Sequence, residues 1–172
     1  MAAFVGKFDL NIDEKSRMSV PAAVRKSLND RIGTSLYATV GPRSGTLVLY
    51  PERVWEKLLA RARASREKFR EFPGGLLFVN SQSALLETDA SGRALIPDRL
   101  LKANGIGREV TMVGNVDHLE LWNRSDYEAF EKANYAAYHE KSASLHECFE
   151  ELSKELMDEF TGPGDEARGR RE

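Results

Sequence analysis

Residues 13–21 and 89–97 read as one piece of chain written twice. The first runs Asp13-Glu14-Lys15-Ser16-Arg17 and on through Val20 to Pro21. The second runs Asp89-Ala90-Ser91-Gly92-Arg93 and on through Ile96 to Pro97. Acid, arginine and proline each recur at the same separation of 76 residues. An internal repeat limits the possible architectures more than any single motif, because both copies must become the same structural unit. Each copy has an alternating apolar run, a polar turn, a short apolar run, and a proline suited to the first turn of a helix.

The rest of the chain can be ordered around these two units. Phe4, Phe8, Leu10 and Ile12 alternate with polar residues, as in a half-buried strand, so 4–20 reads as a hairpin returning through Met18 to Val20. Pro21 opens a short helix over about 21–28. Ser35 to Val40 and Thr46 to Tyr50 read as strands joined by the turn Gly41-Pro42-Arg43-Ser44-Gly45. That turn lacks the Gly-Lys-Ser/Thr ending of a phosphate loop. Pro51 starts a second helix, with Trp55, Leu58, Leu59, Ala62 and Phe69 on one stripe expected to face the core. Pro73-Gly74-Gly75 is the linker candidate. The order then repeats: strand residues over 77–88, the turn at 89–93, a helix from Pro97 to Asn104-Gly105, and strands at Glu109 to Val113 and Leu119 to Trp122. Ser125 and Glu128 form a capping-box pattern. From about 142 a further helical run carries Leu145, Phe149, Leu152, Leu156 and Phe160 on one stripe. Its opposite face is acidic, and it reads either as a helix packed on its own domain or as a subunit contact.

Charge is unevenly distributed. Residues 1–70 hold 14 Lys/Arg against 7 Asp/Glu, a balance of +7, and residues 71–172 hold 11 against 20, a balance of -9. The net charge of -2 therefore leaves room for a local basic surface. There is no run of apolar residues long enough to span a bilayer, and the first residues do not read as a signal peptide. Cys148 is the only cysteine, so no intrachain disulfide can form and a reducing, cytoplasmic setting is expected. His118, His139 and His146 lack metal-ligand spacing, and no nucleophile elbow or nucleotide fingerprint occurs. The expectation is a protein without catalytic residues, cofactor, metal or small-molecule substrate.

The repeated Asp-x-x-x-Arg turn is what remains to carry function. An Asp at a strand end can accept backbone N–H bonds and fix the turn. The Arg four residues later can pair with that Asp or extend its fork to a phosphate or a guanine edge. A purely structural pair that stiffens the hairpin is the simpler reading of one copy; two copies in matching surroundings point to a shared architectural unit.

These motifs resemble the MraZ family of bacterial transcriptional regulators, two-repeat members of the AbrB-like (SpoVT–AbrB) superfamily. The resemblance covers about residues 4–135. It rests on Phe4-x-Gly6-x-Phe8, Asp13-x-Lys15-x-Arg17 with Pro21, Ser91-Gly92-Arg93-Ala94-Leu95-Ile96-Pro97, and Leu119-Glu120-Leu121-Trp122. Ser16, Gln82 and Thr88 depart from the family's usual residues, with Ser16 standing in place of a glycine. The resemblance implies an α+β fold with an AbrB-like β-barrel made by two pseudo-symmetric repeats, helices around it, and a C-terminal helical extension. The corresponding divisions are a first repeat at 4–72, a second at 76–140, an amphipathic helix at 141–161 and a disordered tail at 162–172. It further implies a nucleoid-associated homo-oligomer, in the family a ring, that binds double-stranded DNA at repeated promoter boxes ahead of the division and cell-wall gene cluster. Arg17 and Arg93 would be the principal DNA contacts, Lys15 a phosphate contact, and Lys7 and Arg25 weaker ones, with Asp13 and Asp89 shaping the loops. The alternative is an interaction protein without DNA, antitoxin-like or a scaffold, that binds a protein partner through the hairpins and the acidic C-terminal helix.

Overall fold

The structure, a computed structural model, describes residues 3–65 and 72–161. Its elements follow the order β1 (Lys7–Asn11), β2 (Arg17–Ser19), α1 (Ala22–Ser27), β3 (Leu36–Val40), β4 (Thr46–Pro51), α2 (Glu52–Ala64) and α3 (Gly75–Ser81). Then come β5 (Ala84–Leu86), β6 (Arg93–Leu95), α4 (Asp98–Ala103), β7 (Glu109–Asn115), β8 (His118–Asn123) and α5 (Arg124–Thr161). With α3 set aside, the succession β-β-α-β-β-α occurs twice. The expected helices from Pro21, Pro51 and Pro97 all form, each with the proline at the position before the first helical residue. There its lack of an N–H costs no hydrogen bond.

All strand pairing is antiparallel. β1, β7, β8, β4, β3 and β5 form a six-stranded sheet in that order, and β2 and β6 form a two-stranded ribbon. Among the described residues the ladders close no barrel: β1 and β5 are the two ends of the sheet. Single bridges, Ile12 to Met18 and Thr88 to Ala94, link those ends to the ribbon. The pairings come in equivalent sets. Phe8 opposes Met112 as Ala84 opposes Ala38, and Arg17 opposes Leu95 as Arg93 opposes Ser19.

Three expectations need correction. The 4–20 stretch is not a laddered hairpin, because β1 pairs with β7 and β2 pairs with β6. Alternation identifies a strand face but carries no information on which strand lies beside it. Residues 77–81 are helical, within α3, rather than extended. The run Leu76-Leu77-Phe78-Val79 does not alternate, and Gly74, at φ +86°, turns the chain into the helix. On α2, Trp55 is buried whereas Leu58 is 37% exposed. Only part of the predicted stripe thus meets the core; Phe69 lies outside the described residues. One helix, α5, occupies the stretch read as a capping-box helix and a later helical run. Ser125 sits inside its first turn, and the preceding Asn123 bonds to Asp126 and to the Gly107 amide.

The chain forms two compact units that divide between Glu128 and Ala129. In the first, sheet and ribbon share one buried apolar cluster. Met18, Ala94 and Ile96 of the ribbon segments join Leu47, Leu49, Leu119 and Leu121 of the central strands. Each large side chain buried there contributes roughly 1.5–3 kcal/mol. In the second, Leu145, Phe149, Leu152 and Leu156 are all exposed at helical spacing. The expected tail, 162–172, lies outside the described residues.

Because all ladders except β3–β4 and β7–β8 join the first half to the second, neither half can complete its own sheet. Expressed separately, 1–75 and 76–172 should each aggregate or unfold without a cooperative transition. A sharp monomeric unfolding curve from either piece would contradict this.

Candidate nucleic-acid interface

The two Asp-x-x-x-Arg turns have the same internal wiring. Asp13 Oδ1 accepts the amides of Lys15 and Arg17, both at 2.9 Å. Its Oδ2 accepts Arg17 Nε at 2.8 Å and lies 2.7 Å from Nη2. Asp89 Oδ1 likewise accepts the amides of Ser91 at 2.9 Å and Arg93 at 3.0 Å. Its Oδ2 lies 2.9 Å from Arg93 Nε and 2.8 Å from Nη2. Main-chain bonds close both turns: the Asp13 and Asp89 amides donate to the Arg17 and Arg93 carbonyls at 2.9 Å. The last turn residue adopts a left-handed conformation in each, Ser16 at φ +57° and Gly92 at φ +76°. Ser16 thus takes up the conformation that glycine provides without strain. Its hydroxyl bonds to the Asp98 carboxylate at the start of α4.

The ribbon brings the turns together. The Val20 amide donates to the Gly92 carbonyl at 3.0 Å, and the Ile96 amide donates to the Ser16 carbonyl at 2.9 Å. Each turn is therefore fastened to the strand that follows the other. Met18 and Ala94 point into the core, whereas Arg17, Ser19, Arg93 and Leu95 face outward. Arg17 and Arg93 are diagonal neighbours on that outer face, a relation in which Cα atoms lie roughly 7–8 Å apart.

The electrostatics follow from this geometry. The Arg17 guanidinium, then the Arg17 amide, hold the Asp13 carboxyl down at about 2. The Arg93 amide, followed by its guanidinium, also lowers Asp89. The hydrogen bond to Asp13 raises Arg17 further above its ordinary value, and the charge of Asp89 adds to this. Nε and Nη2 of each arginine are committed inward. Among the described residues, Nη1 of each arginine has no hydrogen-bond partner.

Of the residues singled out from sequence, Arg17, Arg93, Asp13 and Asp89 make up this centre, and Lys15 lies exposed at the first turn's tip. Arg25, on α1, joins them: a Cβ at Gly92 would lie 2.6 Å from its Nη1, so its guanidinium covers the second turn. Lys7 is not part of the cluster. It starts β1, at the end away from Asp13, with its ammonium 5.7 Å from the Tyr127 ring centroid. Two residues not singled out from sequence are added. Arg108 lies 3.7 Å from Glu14 across the first turn, and Asp98 brings a carboxylate to Ser16. Both come from elements distant in the chain, so no local motif could mark them. Among the described residues no cluster of His, Cys, Asp and Glu suits a metal ion, and no helix is long and apolar enough to cross a membrane.

The structure is thus a mixed α+β unit with two like-wired Asp-x-x-x-Arg turns side by side on one ribbon. The family model described as "MraZ protein, putative antitoxin-like" matches residues 3–71 and again 81–154. A protein named transcriptional regulator MraZ from Neisseria gonorrhoeae (strain NCCP11945) is 37% identical over 130 residues, which cover 73% of this chain and 83% of that protein. One of the same name from Mycoplasmoides gallisepticum is 32% identical over 146 residues, covering 83% and 96%. Another, from Acidovorax sp. (strain JS42), is 32% identical over 135 residues, covering 76% and 89%. The chain belongs to the MraZ family.

Two outcomes test the wiring. The Asp13 carboxyl has a depressed folded-state value, so its stabilisation is complete above its ordinary titration range and is lost as pH falls through about 2. Carboxyl NMR should show Asp13 titrating near 2, and Arg17→Ala should move the midpoint upward. An unmoved midpoint would remove the guanidinium as the cause. Gly92→Ala should cost about 1–2 kcal/mol in denaturant unfolding, because a Cβ is strained at positive φ.

Proposed function

We propose that this chain is a sequence-specific DNA-binding transcriptional regulator that acts as a homo-oligomer on repeated promoter boxes. The observation that carries the reading is the side-by-side placement of two like-wired Asp-x-x-x-Arg turns, each leaving Nη1 of its arginine unengaged among the described residues. A guanidinium held by a carboxylate loses little freedom on meeting a guanine edge or a phosphate. The names of the relatives supply the class, and the family resemblance supplies the setting: cytoplasm and nucleoid, with the division and cell-wall gene cluster as target. No catalytic step is part of this reading.

In it, Arg17 and Arg93 read or clamp the duplex, Lys15 and Arg25 add attraction to phosphates, and Asp13 and Asp89 hold the loops. The repeats divide at 4–72 and 76–140, and the β2–β6 ribbon completes an AbrB-like barrel by covering the open side of the sheet. Each arginine's charge is largely offset by its own aspartate, so a single protomer binds weakly. Several copies on one face convert later contacts into intramolecular ones and raise affinity steeply. The exposed stripe Leu145, Phe149, Leu152 and Leu156, spaced four, three and four residues apart, suits a helix that contacts another subunit.

Arg17→Ala and Arg93→Ala should each leave the assembly intact and weaken binding to a multi-box promoter fragment by roughly 5- to 150-fold, given ~1–3 kcal/mol per bidentate contact. The wild-type log affinity should fall with log salt by ~0.9 per phosphate contacted. Unchanged affinity in both folded variants would overturn the assignment of the surface. The absence of any saturable DNA complex would favour a protein partner instead.

A further inference from the structure

The two ends of the buried core, one beneath each turn, are unequal. Beside α1 lies an open cleft of about 170 Å3 whose apolar wall is formed by Val20, Leu28, Leu36, Leu86 and Ala94. Arg25, Thr34 and Thr88, all exposed, line its rim. The 76-residue repeat supplies an internal control. Thr88, Ala94 and Arg25 correspond to Ile12, Met18 and Leu101, and the bridge Thr88 to Ala94 corresponds to the bridge Ile12 to Met18. Those three counterparts are large apolar side chains, all buried. Val20 and Leu86 correspond to Ile96 and Leu10, so the apolar floor is kept in both copies. At the second end that bulk has been exchanged for a methyl, a hydroxyl and a cation, and these three side chains line the cleft.

Among the described residues, no carboxylate pairs with the exposed Arg25 guanidinium on α1, whereas Arg17 and Arg93 of the two turns each have one. From this contrast we infer that the cleft is a binding site for a small aliphatic carboxylate. The volume admits an alkyl group of a few carbons, and the open side leaves the polar end at the rim beside Arg25. The apolar wall takes the alkyl part. The planar guanidinium fork takes two oxygens in one plane, which matches a carboxylate, and the threonine hydroxyls can donate to the same oxygens. An inorganic phosphate would meet Arg25 but leave the floor empty. Arg25 also covers Gly92 of the second turn, so a bound carboxylate would neutralise the cation beside Arg93 and weaken DNA binding. Only this last step rests on the DNA-binding reading; the site itself does not.

The test uses the full, assembled chain without DNA, with 4-methylpentanoate as probe and 4-methylpentan-1-ol and inorganic phosphate as comparisons. Methyl NMR of Val20, Leu36 and Leu86 should show saturable binding of the carboxylate, with the alcohol and phosphate each roughly tenfold weaker or more. Arg25→Leu, which installs the counterpart residue, should abolish the preference for carboxylate over alcohol. Ala94→Met should fill the space and abolish binding of both; Thr88→Ile serves if that variant does not fold. Absence of saturation by the carboxylate, equal binding of the alcohol or phosphate, or unaltered preference in Arg25→Leu would overturn the site. With a promoter fragment present, 4-methylpentanoate should lower DNA affinity for the wild type and leave it unchanged for Thr88→Ile. Carboxylate binding by a chain that forms no DNA complex would uphold the site and reject the DNA-binding reading.

Discussion

Strand pairing across the two halves is the constraint from which the rest of the structure follows. β1 has its laddered partner in β7, β5 in β3, β4 in β8 and β2 in β6. Backbone N–H and C=O groups in such short strands need a partner, and here the other half supplies it. The same exchange brings residues 13–17 and 89–93 into one place, although they are 76 positions apart. The amides of Val20 and Ile96, each donating to the opposite turn, make the two turns mechanically one object.

Within that object the aspartates set what the arginines can do. Each carboxylate takes two backbone amides on one oxygen and the guanidinium on the other, so the loop and the side chain are ordered together. The same arrangement offsets much of the arginine's charge. A surface of this kind favours directional hydrogen bonding over long-range attraction, and on the proposed reading it gains strength from repetition in an oligomer. The repeat is also imperfect in an informative way. Ser16 matches Gly92 in conformation, whereas Arg25 and Ala94 stand where Leu101 and Met18 would fill the core.

Much of the site was legible in the sequence because it is local. Asp, Arg and Pro at fixed offsets specify a turn and the helix after it, and both turns fold as that pattern requires. The proline-initiated helices were legible for the same reason. What sequence could not supply was partnership. The alternation of Phe8 and Leu10 marks an inner face equally well whether the neighbour is β2 or β7. Leu76 to Val79 could be strand or helix, and a single left-handed glycine decides it. Arg108, Asp98 and the cleft beside α1 arise only when distant segments meet.

The central claim is that the two turns act as one DNA-facing surface. Hydrogen exchange of the assembled protein, with and without a multi-box promoter fragment, tests it most directly. Protection at residues 13–20 and 89–96 should rise together, over the same range of DNA concentration. Protection at only one turn, or confined to the helix beyond Ala129, would contradict the account.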